Sequence, residues 1–261
     1  MTAILRQSRD FWEQKTLAWV LTRRTLIARY RGTALGFLWT FLHPLLTFLV
    51  YVLVFGVFVP VGVDNYPAFL LSGLLPWSWF ATSVSLATTS ILGDAPWIRQ
   101  GAFASSISPF VVSFSALINF ALTLPILLGL LLALGVKFTP WLLLLPVLAL
   151  LQFVFILGIS LAVASLAVRY RDVAQIVQVL LPLLFFMTPI IYSPAQVPPG
   201  FTWILSVNPM AQLSSAWQSV LHAGEPPSLQ TLGILSVWAV VAYEVGSRIY
   251  ELHRDRIPEE L

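Results

Sequence analysis

Few residues in this sequence could do acid–base, nucleophilic or metal chemistry. Among 261 residues there is no Cys and only three His, which excludes a thiolate nucleophile and a Cys-ligated metal. His43 is the one ionisable group deep in an apolar stretch, and Pro44 follows it, where a helix is locally open. A proton relay there would want an acidic partner, and the stretch holds none. A histidine bonded to a carbonyl that the proline frees is the simpler reading. Glu244 and Arg248 stand four residues apart in the favourable order for a helical ion pair, so they read as a satisfied pair. The sequence has no G-x-x-x-x-G-K-[ST] phosphate loop, and its two lysines, Lys15 and Lys137, fit no such motif. Midplane carboxylates for a proton- or sodium-driven carrier are missing too, as is a catalytic pair for an intramembrane enzyme. Anything this protein moves uphill must draw its energy from another polypeptide.

What the apolar stretches do hold is aromatic. Phe37, Phe41, Pro44, Phe48, Tyr51, Phe55 and Phe58 step by 4, 3, 4, 3, 4 and 3 residues, which keeps them on one helical face. Leu42, Leu46, Leu49, Leu53 and Val57 fall on the opposite face. Aromatic rings can stack on the apolar faces of sugars and let them slide. The same spacing is that of a ridge packed against other helices, and periodicity alone favours the ridge.

The elements that must position these residues follow from the spacing of the charges. Hydrophobic residues make up 58% of the chain and charged ones 10%, against about 25% in soluble domains. Mean hydropathy is +0.87. This excludes a cytosolic enzyme, a disordered chain and a disulfide scaffold. Uncharged runs of 32, 29, 37, 31, 52 and 18 residues lie between Arg31, Asp64, Asp94 or Arg99, Lys137, Arg169 or Asp172, Glu225 and Glu244. A spanning helix needs about 20 apolar residues. Spans are expected near 35–59, 67–91, 109–135, 141–167, 173–192 and 229–249. With six spans, 13 Lys/Arg fall on one side and only Lys137 on the other, which places both termini in the cytoplasm. The pI near 9.4 then reflects topology and not nucleic-acid binding. The fold class expected is an all-α integral membrane protein forming one transmembrane domain over 1–261.

No cleavable signal peptide is expected. Residues 10–33 read as an amphipathic helix with Trp12, Trp19, Leu26 and Tyr30 on one face, suited either to the headgroup layer or to a plain anchor. Residues 193–228 hold six prolines, an apolar run from Phe201 to Leu221 and no positive charge. Such backbone is tolerated at membrane depth only inside protein or along a cavity, so a re-entrant helical hairpin between spans five and six is expected over a loose loop. Arg169, Arg171 and Asp172 mark a cytoplasmic span end, with Asp172 placed to cap the next helix and lipid-phosphate binding as a second role. Pro125, Pro146 and Pro182 lie within spans and carry no assigned chemistry.

Four stretches together resemble a known family. They are Ala28 to Trp39 with His43-Pro44-Leu45, Gly73-Leu74-Leu75-Pro76-Trp77-Ser78-Trp79-Phe80, Val168-Arg169-Tyr170-Arg171-Asp172-Val173, and Thr188-Pro189-Ile190-Ile191-Tyr192-Ser193 leading to Asn208-Pro209-Met210. In order and spacing they are similar to the membrane subunits of polysaccharide-exporting ABC transporters, the permeases for O-antigen, teichoic acid and capsule, over nearly the whole chain. The resemblance implies a homodimer with a channel between subunits. It implies two separate ATP-binding subunits beneath it, holding ATP and Mg, with no cofactor on this chain. The cargo implied is a lipid-linked polysaccharide moving outward across the inner or plasma membrane of a bacterium, through membrane lipid. It also implies that the N-terminal helix and the loop carrying Trp97, Ile98, Arg99 and Phe103 meet the ATPase. It moves Phe37, Phe41, Phe48, Tyr51, Phe55 and Phe58 toward a sugar path. Arg29, Tyr30, Arg31, Arg169, Arg171 and Asp172 then mark the cytoplasmic mouth, and Tyr192, Asn208 and Pro209 the outer gate.

The chain departs from many relatives in two places. Ala104 and Ser105 stand where Pro and Arg are common, and Ser215 and Gln218 stand where an acid and an Arg are common. The same architecture serving a drug or small lipid, and a non-transporting membrane scaffold, are the competing readings.

Overall fold

The computed structural model describes residues 12–30 and 35–261; Arg31 and the side chains of Arg29, Tyr30 and Phe37 lie outside the described residues. Every regular element among the described residues is helical. In chain order they are α1 (Lys15–Tyr30), α2 (Trp39–Val52), α3 (Tyr66–Gly93), α4 (Ala95–Arg99), α5 (Ile107–Ala133), α6 (Leu145–Arg169), α7 (Asp172–Phe186), α8 (Thr202–Val207), α9 (Pro209–Gln218), α10 (Leu229–His253) and α11 (Ile257–Glu260). α2 runs on as π-helical turns over Leu53–Phe58, and α9 does the same over Ser219–Ala223.

Among the described residues, five segments are long and apolar enough to cross a bilayer: Phe41–Phe58, Tyr66–Gly93, Ile107–Ala133, Pro140–Arg169 and Leu229–His253. They match five of the six expected spans to within a few residues. The remaining stretch, expected at 173–192, differs. α7 has 15 residues, about 22 Å of helix against a hydrocarbon core of about 30 Å. The reason is local. Thr188 precedes Pro189, which disfavours helical backbone at Thr188, and the Thr188 hydroxyl returns to the Leu184 carbonyl at 2.7 Å. The chain then continues as buried, non-helical Pro189, Ile190 and Ile191.

α3 is the most enclosed of the long helices, with buried residues around most of its circumference, and it packs against α2, α5, α6, α7 and α9. The tightest pairing is α6 with α10. Gly158 and Gly246 meet backbone to backbone, and a Cβ on either would fall inside contact distance of the other helix's main chain. Small residues permit this approach where no hydrophobic driving force separates protein from lipid.

At one end of the bundle a second apolar cluster joins Ala18 of α1, Ile98 of α4, Phe103, Leu161 and Val168 of α6, Tyr250 of α10 and Ile257 of α11. α1 rests on α5, and Gln14 Oε1 accepts from the Ala104 amide at 3.1 Å. Ala18 and Thr22 face inward, while Trp12 and Trp19 are 66% and 56% exposed. The indoles thus point off the protein, the disposition of a helix that lies in a headgroup layer. At the other end, loops are stitched together. Asn65 Nδ2 donates to the Leu134 carbonyl at 3.0 Å, Thr139 donates to the Gly224 carbonyl at 3.1 Å, and Gln196 donates to the Val61 carbonyl. The Glu244–Arg248 pair forms as expected, at 2.6 Å.

Candidate functional site

A cavity of about 350 Å³ opens between α2, α3 and α7. α2 contributes His43, Pro44, Thr47 and Tyr51, α3 contributes Trp77, Ser78 and Thr82 among others, and α7 contributes Pro182, Phe185 and Phe186. Its wall is a run of touching rings. Tyr51 stacks on Phe185 at 5.5 Å and 20°, and Phe185 meets Trp77 at 5.6 Å. Trp77 meets Phe80 at 5.4 Å. Offset and tilted contacts of this kind are the favoured geometry for π-systems. Set among the rings are the polar groups of His43, Thr47, Tyr51, Ser78 and Thr82. Flat apolar faces beside hydroxyls can receive a ligand that carries both, as a sugar ring does.

The expected aromatic stripe divides, and its last two members, Phe55 and Phe58, lie in the π-helical turns beyond α2. Among the expected aromatic positions whose side chains are described, Tyr51 is the one that lines the cavity. Phe48 is 5% exposed and belongs to the bundle core. Phe55 packs at the core's edge beside Tyr51, with ring centroids 6.1 Å apart. Phe41 is half-buried, and Phe58 is 68% exposed. His43 faces the cavity, and Thr47 is the residue that bonds the His43 carbonyl, at 3.1 Å. Trp77, Phe185 and Phe186 went unassigned in the sequence. Trp77 stood inside a family stretch, but nothing marked which way its ring points.

Beyond the cavity, α2 and α7 present apolar residues to the outside. Leu45, Leu46, Leu49, Leu53 and Val57 of the first, and Ile176, Val179, Leu180 and Leu183 of the second, are all more than a third exposed.

The loop after α3 sorts its four expected coupling residues into two roles. Ile98 and Phe103 are 5% and 8% exposed and anchor the loop in the end cluster. Trp97 and Arg99 point outward. Ser108 donates to Asp94 Oδ2 at 2.8 Å, and Gly101 at φ +70° supplies the left-handed turn that brings Phe103 back inside. Nearby, Arg169 pairs with Glu260 at 3.1 Å and lies over the Tyr170 ring. Arg171 and Asp172 are exposed. Asp172 is not the cap of α7: Arg171 holds that position, and Asp172 stands in the first turn, where its charge complements the helix N-terminus.

The three residues expected at an outer gate are bonded closely. Asn208 caps α9 by accepting from the Met210 amide at 3.0 Å, and it donates to Thr188 Oγ1 at 3.0 Å. Pro209 takes the first position of α9, where a missing N–H costs nothing. The Tyr192 hydroxyl donates to the Phe186 carbonyl at 3.1 Å. Trp217 of α9 donates to Gln152 Oε1 at 2.8 Å, and Gln152 Nε2 donates to the Pro76 carbonyl at 2.8 Å. Gln218 donates to the Pro189 carbonyl at 3.0 Å. α9 is thereby fixed to α3, α6 and the chain after α7.

Several long apolar helices packed around one another make this a multi-pass membrane protein. Residues 16–221 match the family described as ABC-2 type transporter, and the chain belongs to that family. Among curated relatives, the "O-antigen export system permease protein RfbA" of Myxococcus xanthus is 36% identical over 260 residues, covering 99% of this chain and 100% of the relative. Two proteins of the same name from Klebsiella pneumoniae are each 30% identical, with 93% of each chain covered.

Proposed function

We propose that this chain is the channel-forming permease subunit of an ATP-driven exporter that moves a lipid-linked polysaccharide of the O-antigen type outward across a bacterial inner membrane. The observation that carries the reading is the groove walled by Tyr51, Phe185 and Trp77, with hydroxyls between the rings. The cargo class comes from the relatives, whose names describe O-antigen export and whose similarity runs along the whole chain.

In this reading α7 is a short fifth crossing, so six crossings leave both termini in the cytoplasm. α8 and α9 form the re-entrant gate on the outer side. Two copies meet through the exposed apolar faces of α2 and α7, which places the two grooves along a shared path. ATP and Mg sit on two separate partner subunits, which dock at α1 and at Trp97 and Arg99 of α4. Arg169 and Arg171 stand at the mouth where a phosphate-linked lipid would arrive.

The test is the intact complex. The protein purified from native membranes in mild detergent should have the mass of two copies plus two ATP-binding subunits, with glycolipid attached. A lone chain at every detergent strength would remove the energy source and overturn the reading.

A further inference from the structure

Ile257 is out of keeping with its neighbours in sequence. The chain leaves α10 through Arg254, Asp255 and Arg256 and ends in Glu259, Glu260 and Leu261, yet Ile257 is 1% exposed. It inserts into the end cluster beside Ile98 of α4, Phe103 and Tyr250. The short helix it begins, α11, touches both α4 and α6. Glu260 holds Arg169 at the end of α6 at 3.1 Å, with side-chain exposures of 27% and 38%. The hydroxyl of Tyr250 lies 2.7 Å from that of Ser105, which fixes the chain just after Phe103 to α10.

α4 needs such support. Its five residues are far too few to hold a helix unaided. Its outer side carries the exposed Trp97 and Arg99, so whatever presses on them must be resisted from behind. The residues behind are Ile98 and Phe103, and the element closing that side, toward the end of α6, is α11.

We infer that α11 is a positioning brace for the ATPase-coupling surface. With Ile257 seated and Glu260 on Arg169, load on Trp97 and Arg99 passes through α4 into α6; with α11 released, α4 gives way and the load is lost. The inference rests on the reading of α4 as the coupling surface.

The experiment uses the complete complex with its partner ATPases, reconstituted with the glycolipid that co-purifies, and reads polymer exported per ATP hydrolysed. Ile257→Asp should assemble and hydrolyse ATP, with export per ATP down about tenfold, because a buried carboxylate would expel α11. Glu260→Arg should lower the ratio by about two- to fivefold, the scale of a partly exposed ion pair. Glu260→Asp, which keeps the charge on Arg169, should hold the ratio near that of the unaltered protein, and this surface position carries the test even if Ile257→Asp does not assemble. An unchanged ratio in both Ile257→Asp and Glu260→Arg, with faster hydrogen exchange over 257–261 proving α11 released, would overturn the brace. So would a loss of folded protein with no change in the ratio, which is a purely structural role. Trp97→Ala with Arg99→Ala is run alongside. If that pair uncouples export while the α11 variants do not, the brace alone fails. If that pair leaves export per ATP unchanged, the reading of α4 fails with it.

Discussion

Gln152→Leu tests how α9 is held. Gln152 lies midway along α6 with no exposed surface, and its amide is committed at both ends, to the Pro76 carbonyl and from the Trp217 indole, each at 2.8 Å. Leucine keeps most of the volume and removes both bonds. Two hydrogen bonds are worth about 1 kcal/mol each, and a buried donor left without its acceptor adds about 1–3 kcal/mol. Trp217 is 0% exposed, so water cannot reach its indole. Interhelical bonds in membrane proteins measure lower, about 0.6 and at most about 1.7 kcal/mol, which brings the expected cost of Gln152→Leu to about 2 kcal/mol. Trp217→Phe removes the donor and some packing. In the double variant no indole is stranded, so its cost should fall short of the sum of the singles by about 1 kcal/mol. The assay is equilibrium unfolding in mixed micelles, followed by far-ultraviolet circular dichroism for all four proteins. Additivity within about 0.3 kcal/mol would refute the reasoning, since it would mean that the indole and the amide do not act on each other.

Three further outcomes are expected. Gly246→Ala should cost about 1–3 kcal/mol, and Gly246→Leu should prevent recovery of a monodisperse protein on size exclusion, because α6 leaves no room for a side chain there; a well-folded leucine variant would disprove the close pairing. Trp97→Ala with Arg99→Ala should leave the protein folded and abolish export in vesicles while ATP hydrolysis continues, since both residues point outward; normal export would remove that surface from the mechanism. Tyr51→Ala should slow polymer export several-fold, about 1 kcal/mol of lost stacking, and Tyr51→Phe should recover most of it; full export by the alanine variant would return Tyr51 to packing, the role that Phe48 already fills.

The long helices were legible because charge spacing reports where lipid-depth segments begin and end, and the chain obeys it closely at α3, α5 and α10. The span expected at 173–192 was overextended because hydropathy continues through Ile190 and Ile191 while the helix has already ended before Thr188-Pro189. Periodicity correctly put Phe48 and Tyr51 on one face but could not say what that face meets, since one helix position touches α7 and the next the core. The loop after α3 was legible as a unit, and its division into inward Ile98 and outward Trp97 needed the shape of a five-residue helix. Gln152 and Trp217 stand 65 residues apart and Gln152 and Pro76 stand 76 apart; no local pattern links them. Ile257 could have been noticed as a lone aliphatic residue in a charged run, and the notable fact about it is its burial.

The glycine contact between α6 and α10 also sets what cannot move. Helices that touch through side chains can slide, because one side chain can trade its niche for the next. These two touch through main chain at Gly158 and Gly246. A slip of one turn along α6 would set Gly246 against Val154 or Ala162, where a side chain occupies the space. The pair therefore has a single register and behaves as a keel, a fixed spine within the bundle. Any bending must be taken up by the elements around it, and the π-helical turns at Ser219–Ala223, which continue α9 where it packs on α6 and α10, are the nearest looser joint.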